Sequence, residues 1–314
     1  MAYTNTDTNM TTSSALSAGM QTYYNRELLR TFEPNLVHLQ FGDEHRMPPH
    51  SGLVMNMRKL IPLETNTKAL SEGDPGESVM LAETEVTVQL QQYGEYARCT
   101  DKIDLTHLDM DIMRRTKLFG DAGARSIDAV VREELAKCAN VIYAGGKASR
   151  AELTAADKLT SRELRKAVKT LKKNHAQTFG GYFVAIIGPD TMYDLQEDEA
   201  FVKVSQYQDK ENIYTGEVGR LFGVRLVETT EAKIFEGAGA SGADVASVIV
   251  LGQYAYGVTS LKGAKPRVIV KPAGSAGTAD PLDQISTVGW KMDGFGAKLL
   301  QPEYAVRIEC GFSA

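Results

Sequence analysis

The glycine-rich run Gly237-Ala-Gly239-Ala-Ser-Gly242 has the spacing of a loop that cradles phosphates. That chemistry needs a helix N-terminus immediately downstream, aimed at a pyrophosphate. The residues from Asp244 to Gly252 (DVASVIVLG) read instead as a strand, so the run is expected to be a surface loop. His45 and His50 flank Arg46-Met47-Pro48-Pro49 beside Asp43 and Glu44, a donor set that suits a metal in type only. The proline pair denies the two rings a shared helix face, and no further histidine lies nearby. Asp109-Met-Asp111 lacks the remaining ligands of a calcium loop. The five histidines are scattered at 38, 45, 50, 107 and 175, and neither GxSxG nor HExxH occurs, so no nucleophile, base and orienting group can be assembled. No catalytic residue, metal ligand or cofactor is assigned. The strongest charge feature is Arg162, Arg165, Lys166, Lys169, Lys172 and Lys173, six cations in twelve residues. They could face nucleic acid; a solvated helix face is the commoner meaning.

These cations ride on a helix whose start is marked twice. Thr160 and Glu163 have capping-box spacing, and Leu159 and Leu164 have hydrophobic-staple spacing. The helix should run to about Asn174 with Leu164, Val168 and Leu171 inward. The longest clean helical pattern is Ser126 to Tyr143 (SIDAVVREELAKCANVIY). On its period, Ile127, Val130, Val131, Leu135, Cys138, Val141 and Ile142 share one face, while Asp128, Arg132, Glu133, Ala136, Lys137 and Asn140 fall opposite. Ser126 reads as the N-cap and Gly145-Gly146 as the stop. Glu134 lands inside the apolar stripe, where it either snorkels to water or meets a cation from another element or another subunit.

With 314 residues, 43% of them apolar, the chain can bury one extended body or two domains. A net charge of -5 gives no general attraction to phosphate or to an anionic membrane, which argues against a sequence-specific nucleic-acid reader. Cys99, Cys138 and Cys310 are odd in number and far apart, so they form neither a disulfide framework nor a metal knuckle, and a reducing compartment is expected. There is no signal-peptide pattern, and no apolar run approaches the ~18 residues of a membrane span. Residues 1 to 20 are Thr-, Ser- and Asn-rich and are expected to form a mobile arm. A short helix is expected from Tyr23 to Phe32, stopped near Pro34.

Two alternating stretches come next. Leu53, Met55 and Met57 face one way and Asn56 and Arg58 the other; Val86, Val88 and Leu90 interleave with polar residues between Glu85 and Gln91. About twenty polar, Gly/Pro-punctuated residues separate them, against a usual ~4 to 6 inside a compact domain. This predicts a protruding hairpin whose partners lie on another subunit. Beyond the second helix, Tyr182 to Ile187 and Val245 to Leu251 read as strands covered on both faces. Asp190 opens a short helix, Phe222 to Leu226 reads as a strand, and the text after Arg267 is again β.

Three stretches taken in order carry a resemblance. The first is Ala69-Leu-Ser-Glu-Gly-Asp-Pro75, through Val86 to Tyr93-Gly94 and Asp101-Lys-Ile103. The second is Gly181-Tyr-Phe-Val-Ala-Ile-Ile-Gly-Pro-Asp190, with Asp194-Leu195 and Gly216 to Glu228, including Gly219-Arg-Leu-Phe-Gly223. The third is Asp280-Pro-Leu-Asp-Gln284, Val288-Gly-Trp-Lys291 and Lys298-Leu-Leu300. The chain resembles a tailed-bacteriophage major capsid protein of the Hong Kong 97 type, within the family named for the coliphage N-four coat protein.

The resemblance implies an α+β fold with an N-terminal arm (1–24), a peripheral domain (25–64, 101–150 with the spine helix, and 266–314 as a C-terminal return), an E-loop (65–100) and an axial domain (151–265). It makes Leu70, Glu72, Gly73, Pro75, Val79 and Leu81 intersubunit candidates. Ile127, Val131, Glu134, Leu135 and Cys138 become the spine, and Arg162, Arg165, Lys166, Lys169, Lys172 and Lys173 lumen-facing cations. Some relatives cross-link a Lys to an Asn; Lys68 lies in the E-loop and reads as an exposed lysine. The implied function is a non-enzymatic coat protein, without cofactor, made in the host cytoplasm and located in the virion. Its implied partners are itself in pentamers and hexamers, a scaffolding protein, a portal, decoration proteins and, weakly, packaged double-stranded DNA. An encapsulin-type nanocompartment shell shares the fold and is the alternative. A soluble nucleotide-using enzyme, resting on the 237–242 loop alone, is the alternative from another class.

Overall fold

Strands dominate because apolar residues recur at every second position or in unbroken runs too short for helices. The computed structural model describes residues 36–48, 50–60, 67, 69, 80, 83–102, 112–198, 220–261, 265–275 and 280–313. In chain order, β1 (Asp43–Met47), β2 (Val54–Leu60), β3 (Glu83–Gln89) and β4 (Gln91–Thr100) precede the long helix α1 (Ile112–Leu135). Next come β5 (Val141–Tyr143), α2 (Ser161–Lys173), β6 (Phe183–Ile187), α3 (Pro189–Gln196), β7 (Arg220–Leu221) and β8 (Val224–Glu228). β9 (Ile234–Phe235), β10 (Val245–Leu251), β11 (Tyr256–Leu261), β12 (Arg267–Lys271), β13 (Ile285–Leu299) and β14 (Ala305–Cys310) follow. The expected arm and the helix expected from Tyr23 to Phe32 lie outside the described residues.

Two compact units share these elements. The first takes its described residues from 36–37, Gln91–Ala129 and Gly263–Phe295. In it β4 and β12 both pair antiparallel with β13. Val288 and Trp290 are buried on one face of this sheet. The Asp280-Pro-Leu-Asp-Gln284 motif is a turn that starts β13: the Ile285 amide donates to the Asp280 carboxylate (2.7 Å), and the Asp101 amide donates to the Gln284 carbonyl (2.9 Å).

The second unit takes its described residues from His38–Leu90, Val130–Lys262 and Gly296–Ala314. Its main sheet runs β5-β14-β10-β6-β8-β7, with β9 also on β10. Every residue of β6, β10 and β14 is buried, so both faces of the sheet are covered there, as the apolar run of β6 requires. On one face Phe183, Ala185, Val248, Val250, Val306 and Ile308 join Leu164, Ala167 and Leu171 of α2 and Met192 and Leu195 of α3 in a single cluster. Each such side chain contributes about 1.5–3 kcal/mol relative to exposure. Alternation turns Arg307 and Glu309 of β14 the other way. Glu309 has no solvent exposure. Arg150 grips its carboxylate in bidentate fashion (both contacts 2.7 Å), and Arg307 Nε lies 2.8 Å away. The Arg150 guanidinium also sits 3.6 Å from the ring centroid of Phe235 in β9. The chain end is tied to α3, where Asp194 accepts from the Ser313 amide (2.9 Å) and hydroxyl (2.6 Å) and pairs with Lys158 (2.8 Å). Burial works to raise the Asp194 pKa, but Lys158 and Ser313 outweigh it and hold the carboxyl below its ordinary range.

Several sequence expectations are corrected. The long helix does not run from Ser126 to Tyr143; it starts at Ile112 and ends at Leu135. Ser126 is no N-cap, because its hydroxyl donates back to the Ala122 carbonyl one turn earlier (2.8 Å). Gly120 and Gly123 sit inside the helix and are buried, at the usual ~0.5–1 kcal/mol penalty of helical glycine. Val141 to Tyr143 is β5, drawn out of the helical pattern by parallel pairing with Arg307 to Glu309. Asp128, expected on the solvated back, is fully buried. Phe222 and Gly223 are a two-residue hairpin turn between β7 and β8, with φ of 51° and 80°, and not strand. At the start of α2 the Thr160 hydroxyl bonds the Glu163 carboxylate instead of accepting a backbone amide, and Asp198 accepts from the Ser161 amide (2.8 Å). The staple residues Leu159 and Leu164 are both buried in the shared cluster.

Arg150→Ala should lower the unfolding free energy by about 3 kcal/mol, at the low end for breaking a buried pair because Arg307 remains beside Glu309. Chemical denaturation checks this.

Candidate assembly surfaces

Strands β2 and β3 form a ladder of seven antiparallel pairs, from Val54↔Gln89 to Leu60↔Glu83. Among the described residues no third strand joins this sheet. A lone two-stranded hairpin is marginally stable in water, and this one is seated at its base. Met57 and Val88 are buried. The Met57 sulfur lies 2.7 Å from where a Cβ on Gly257 would stand, and Val88 Cγ1 lies 2.8 Å from the equivalent point on Gly296. Glycine is required at both positions for this contact. Lys59 pairs with Glu303 at 2.7 Å, and that hydrogen bond is the main reason the Glu303 carboxyl sits below its ordinary range. At the end of the ladder away from the excursion, Leu53 and Val54 remain largely exposed. The candidates Leu70, Glu72, Gly73, Pro75, Val79 and Leu81, and Lys68, lie outside the described residues. Met80, from the same excursion, is 92% exposed.

On the spine, Ile127, Val131 and Leu135 are fully buried and Cys138 nearly so. Burial pushes the Cys138 thiol up in pKa, which suits a packed hydrophobe that donates to the Ala305 carbonyl (3.1 Å). Glu134 meets two cations of its own chain, Lys137 at 2.5 Å and Lys298 at 3.1 Å. On α2, Lys166 pairs with Glu163 (3.5 Å) and the Arg165 guanidinium lies 4.9 Å from the Phe222 ring centroid. Arg162, Lys169, Lys172 and Lys173 are exposed.

Sequence reading missed one surface. The exposed face of the β4–β13–β12 sheet holds a groove of about 630 Å³ lined by Tyr96, Arg98, Ile269, Lys271, Thr287 and Lys291. Gly94 and Gly289 open its floor, since a Cβ on either would stand 2.7 Å or less from the adjoining backbone. Glycine inside two strands was the available signal. Among the described residues no cluster of three His, Cys, Asp or Glu side chains could hold a metal. The 237–242 loop leads into β10, without the helix that phosphate binding needs.

The architecture is similar to that of solved phage capsids. The capsid of Ralstonia phage GP4 matches with TM-score 0.67 at 14% identity, over 87% of this chain and 88% of that one. The capsid of cyanophage P-SCSP1u matches with TM-score 0.66 at 16% identity, over 88% and 89%. The capsid of cyanophage Pam1 matches with TM-score 0.65 at 17% identity, over 90% and 92%. This is the Hong Kong 97-type fold, a class of shell-forming structural proteins. The family model described as phage capsid protein matches residues 83–308, and the chain belongs to that family. It is a bacteriophage coat subunit located in the virion, and its role is structural, not catalytic. No curated protein sequence matches significantly.

Glu134→Ala should lower the melting of the subunit, by about 1–2 kcal/mol in stability, because both partners lie within the chain. Calorimetry of the unassembled chain checks it; unchanged melting with altered assembly would place a further partner across an interface. Deleting residues 66–82 should leave the folded subunit intact and abolish shells, judged by circular dichroism and negative-stain imaging. Loss of folding would make the excursion part of the core.

Proposed function

We propose that the chain assembles through pentamers and hexamers into the icosahedral head of a tailed phage, as its major capsid protein around double-stranded DNA. The observation that carries this is the β2–β3 hairpin, a two-stranded ladder with open outer edges among the described residues and a long excursion beyond it. Unpaired edges are templates for strand addition, and pairing with another copy would bury them. A projecting hairpin and an arm add buried area between subunits, for which a monomer has no use. In this reading 1–24 form the arm, 65–100 the E-loop, 151–265 the axial domain, and 25–64, 101–150 and 266–314 the peripheral domain. Leu70, Glu72, Gly73, Pro75, Val79 and Leu81 contact a neighbouring copy. Scaffolding, portal and decoration proteins are the expected partners. An acidic chain of net charge -5 suits a wall that must not grip its contents, so contact with packaged DNA is weak and blind to sequence.

Mass measurement and negative-stain imaging of the purified protein test the proposal. Megadalton shells or ring-shaped capsomers are expected, with DNA as their contents. A 34.3 kDa monomer that persists with its scaffold co-expressed would overturn it. Shells loaded with an enzyme would point to the cellular nanocompartment instead.

A further inference from the structure

About half of the described cations are neutralised locally. Arg46, Arg58, Lys59, Arg125, Arg132, Lys137, Arg150, Lys158, Lys233, Arg267, Lys291, Lys298 and Arg307 all lie within ion-pair distance of a carboxylate. On the outer face of α2 the cations without such a partner are concentrated. Its only acidic residue, Glu163, is buried and engaged by Thr160 and Lys166. Arg162, Lys169, Lys172 and Lys173 have no carboxylate partner among the described residues, and Arg165 meets an aromatic ring and a backbone carbonyl.

This arrangement works against the helix that carries it. Positions 162, 165, 169 and 172 follow one another at spacings of three and four residues, so each cation lies one turn from the next and repels it. Arg162 stands in the first turn, at the positive end of the helix dipole. Lys172 and Lys173 in the last turn favour the helix, but Arg162 and Lys169 gain nothing from it. Helix stability therefore does not account for the stripe, and an external polyanion does.

The face also says what kind of polyanion. None of the exposed large apolar residues lies on α2. Protein interfaces have apolar centres, and this face offers none to an acidic protein surface. α2 itself contains no aromatic residue on which an unpaired base could stack, and the exposed ring beside it, Phe222, is already met by the Arg165 guanidinium. Arg162 to Lys172 spans about 15 Å of helix, close to the rise of four or five phosphates along one strand of a duplex at ~3.4 Å each.

We infer that the exposed face of α2, through Arg162, Lys169, Lys172 and Lys173, binds the phosphate backbone of double-stranded nucleic acid without reading its sequence. The inference rests on the capsid reading for its biological setting, and it assigns the weak DNA contact proposed there to four residues of one helix.

The full-length chain, purified as unassembled subunits, is titrated with a random-sequence linear duplex over a range of salt. Four phosphate contacts predict that the logarithm of the binding constant falls against the logarithm of salt with a slope near -4. The triple substitution Arg162→Gln, Lys169→Gln, Lys172→Gln should flatten that slope by about 3. The charge-keeping Arg162→Lys, Lys169→Arg, Lys172→Arg chain should retain it, and circular dichroism should show both folded. Poly-glutamate is the second titrant. If the neutral substitutions weaken its binding and leave the duplex slope unchanged, the face meets acidic protein and the inference falls. Shell formation is scored in parallel: shells with an unchanged slope sink the α2 assignment alone, and a flattened slope in a chain that never assembles sinks the capsid reading alone.

Discussion

A carboxylate without any solvent exposure has to be met by cations, and Glu309 imposes that demand near the end of β14. Arg150 reaches it from the turn before α2, and Arg307 from the same strand. A buried pair of this kind adds little net stability over apolar packing. It sets register. A slip of β14 by one residue would drive Glu309 into the cluster of Val306, Ile308 and Cys310 and set Ile308 among guanidinium groups. With β14 held, β5 and β10 have defined partners on its two edges, and Phe235 of β9 is trapped against Arg150.

From that sheet the rest of the second unit follows. β10 pairs with β14 on one side and β6 on the other, so residues far apart in sequence become neighbours at the centre of the unit. α2 and α3 cover one face with Leu164, Leu171, Met192 and Leu195. The same packing leaves the charged side of α2 outward, which ties the cationic stripe to the core pattern of one short helix.

What could be read from the sequence divides by the range of the interaction. The strand Phe183–Ile187, the strand Val245–Leu251, the hairpin partners around Met57 and Val88 and the extent of α2 follow from periodicity and local caps, and they are found where that pattern puts them. Errors come where a distant contact overrides a local one. Val141 and Ile142 keep a helical period, yet β14 recruits them as a strand. The helical pattern is clean only from Ser126, yet α1 begins fourteen residues earlier, at Ile112. The partner Lys298 of Glu134 is 164 positions away and left no local trace. The aromatic and cationic groove over Gly94 and Gly289 needed three strands to exist before it could be seen.

The seating of the hairpin has a mechanical consequence. Seven paired residues make a ladder of about 23 Å at ~3.3 Å per residue. It rests on the body at three points along its length, Val88 on Gly296, Met57 on Gly257 and Lys59 on Glu303. Load applied beyond Leu60 is therefore met first by the Lys59–Glu303 pair and shared with the two glycine contacts, and the paired strands bear it as a braced beam.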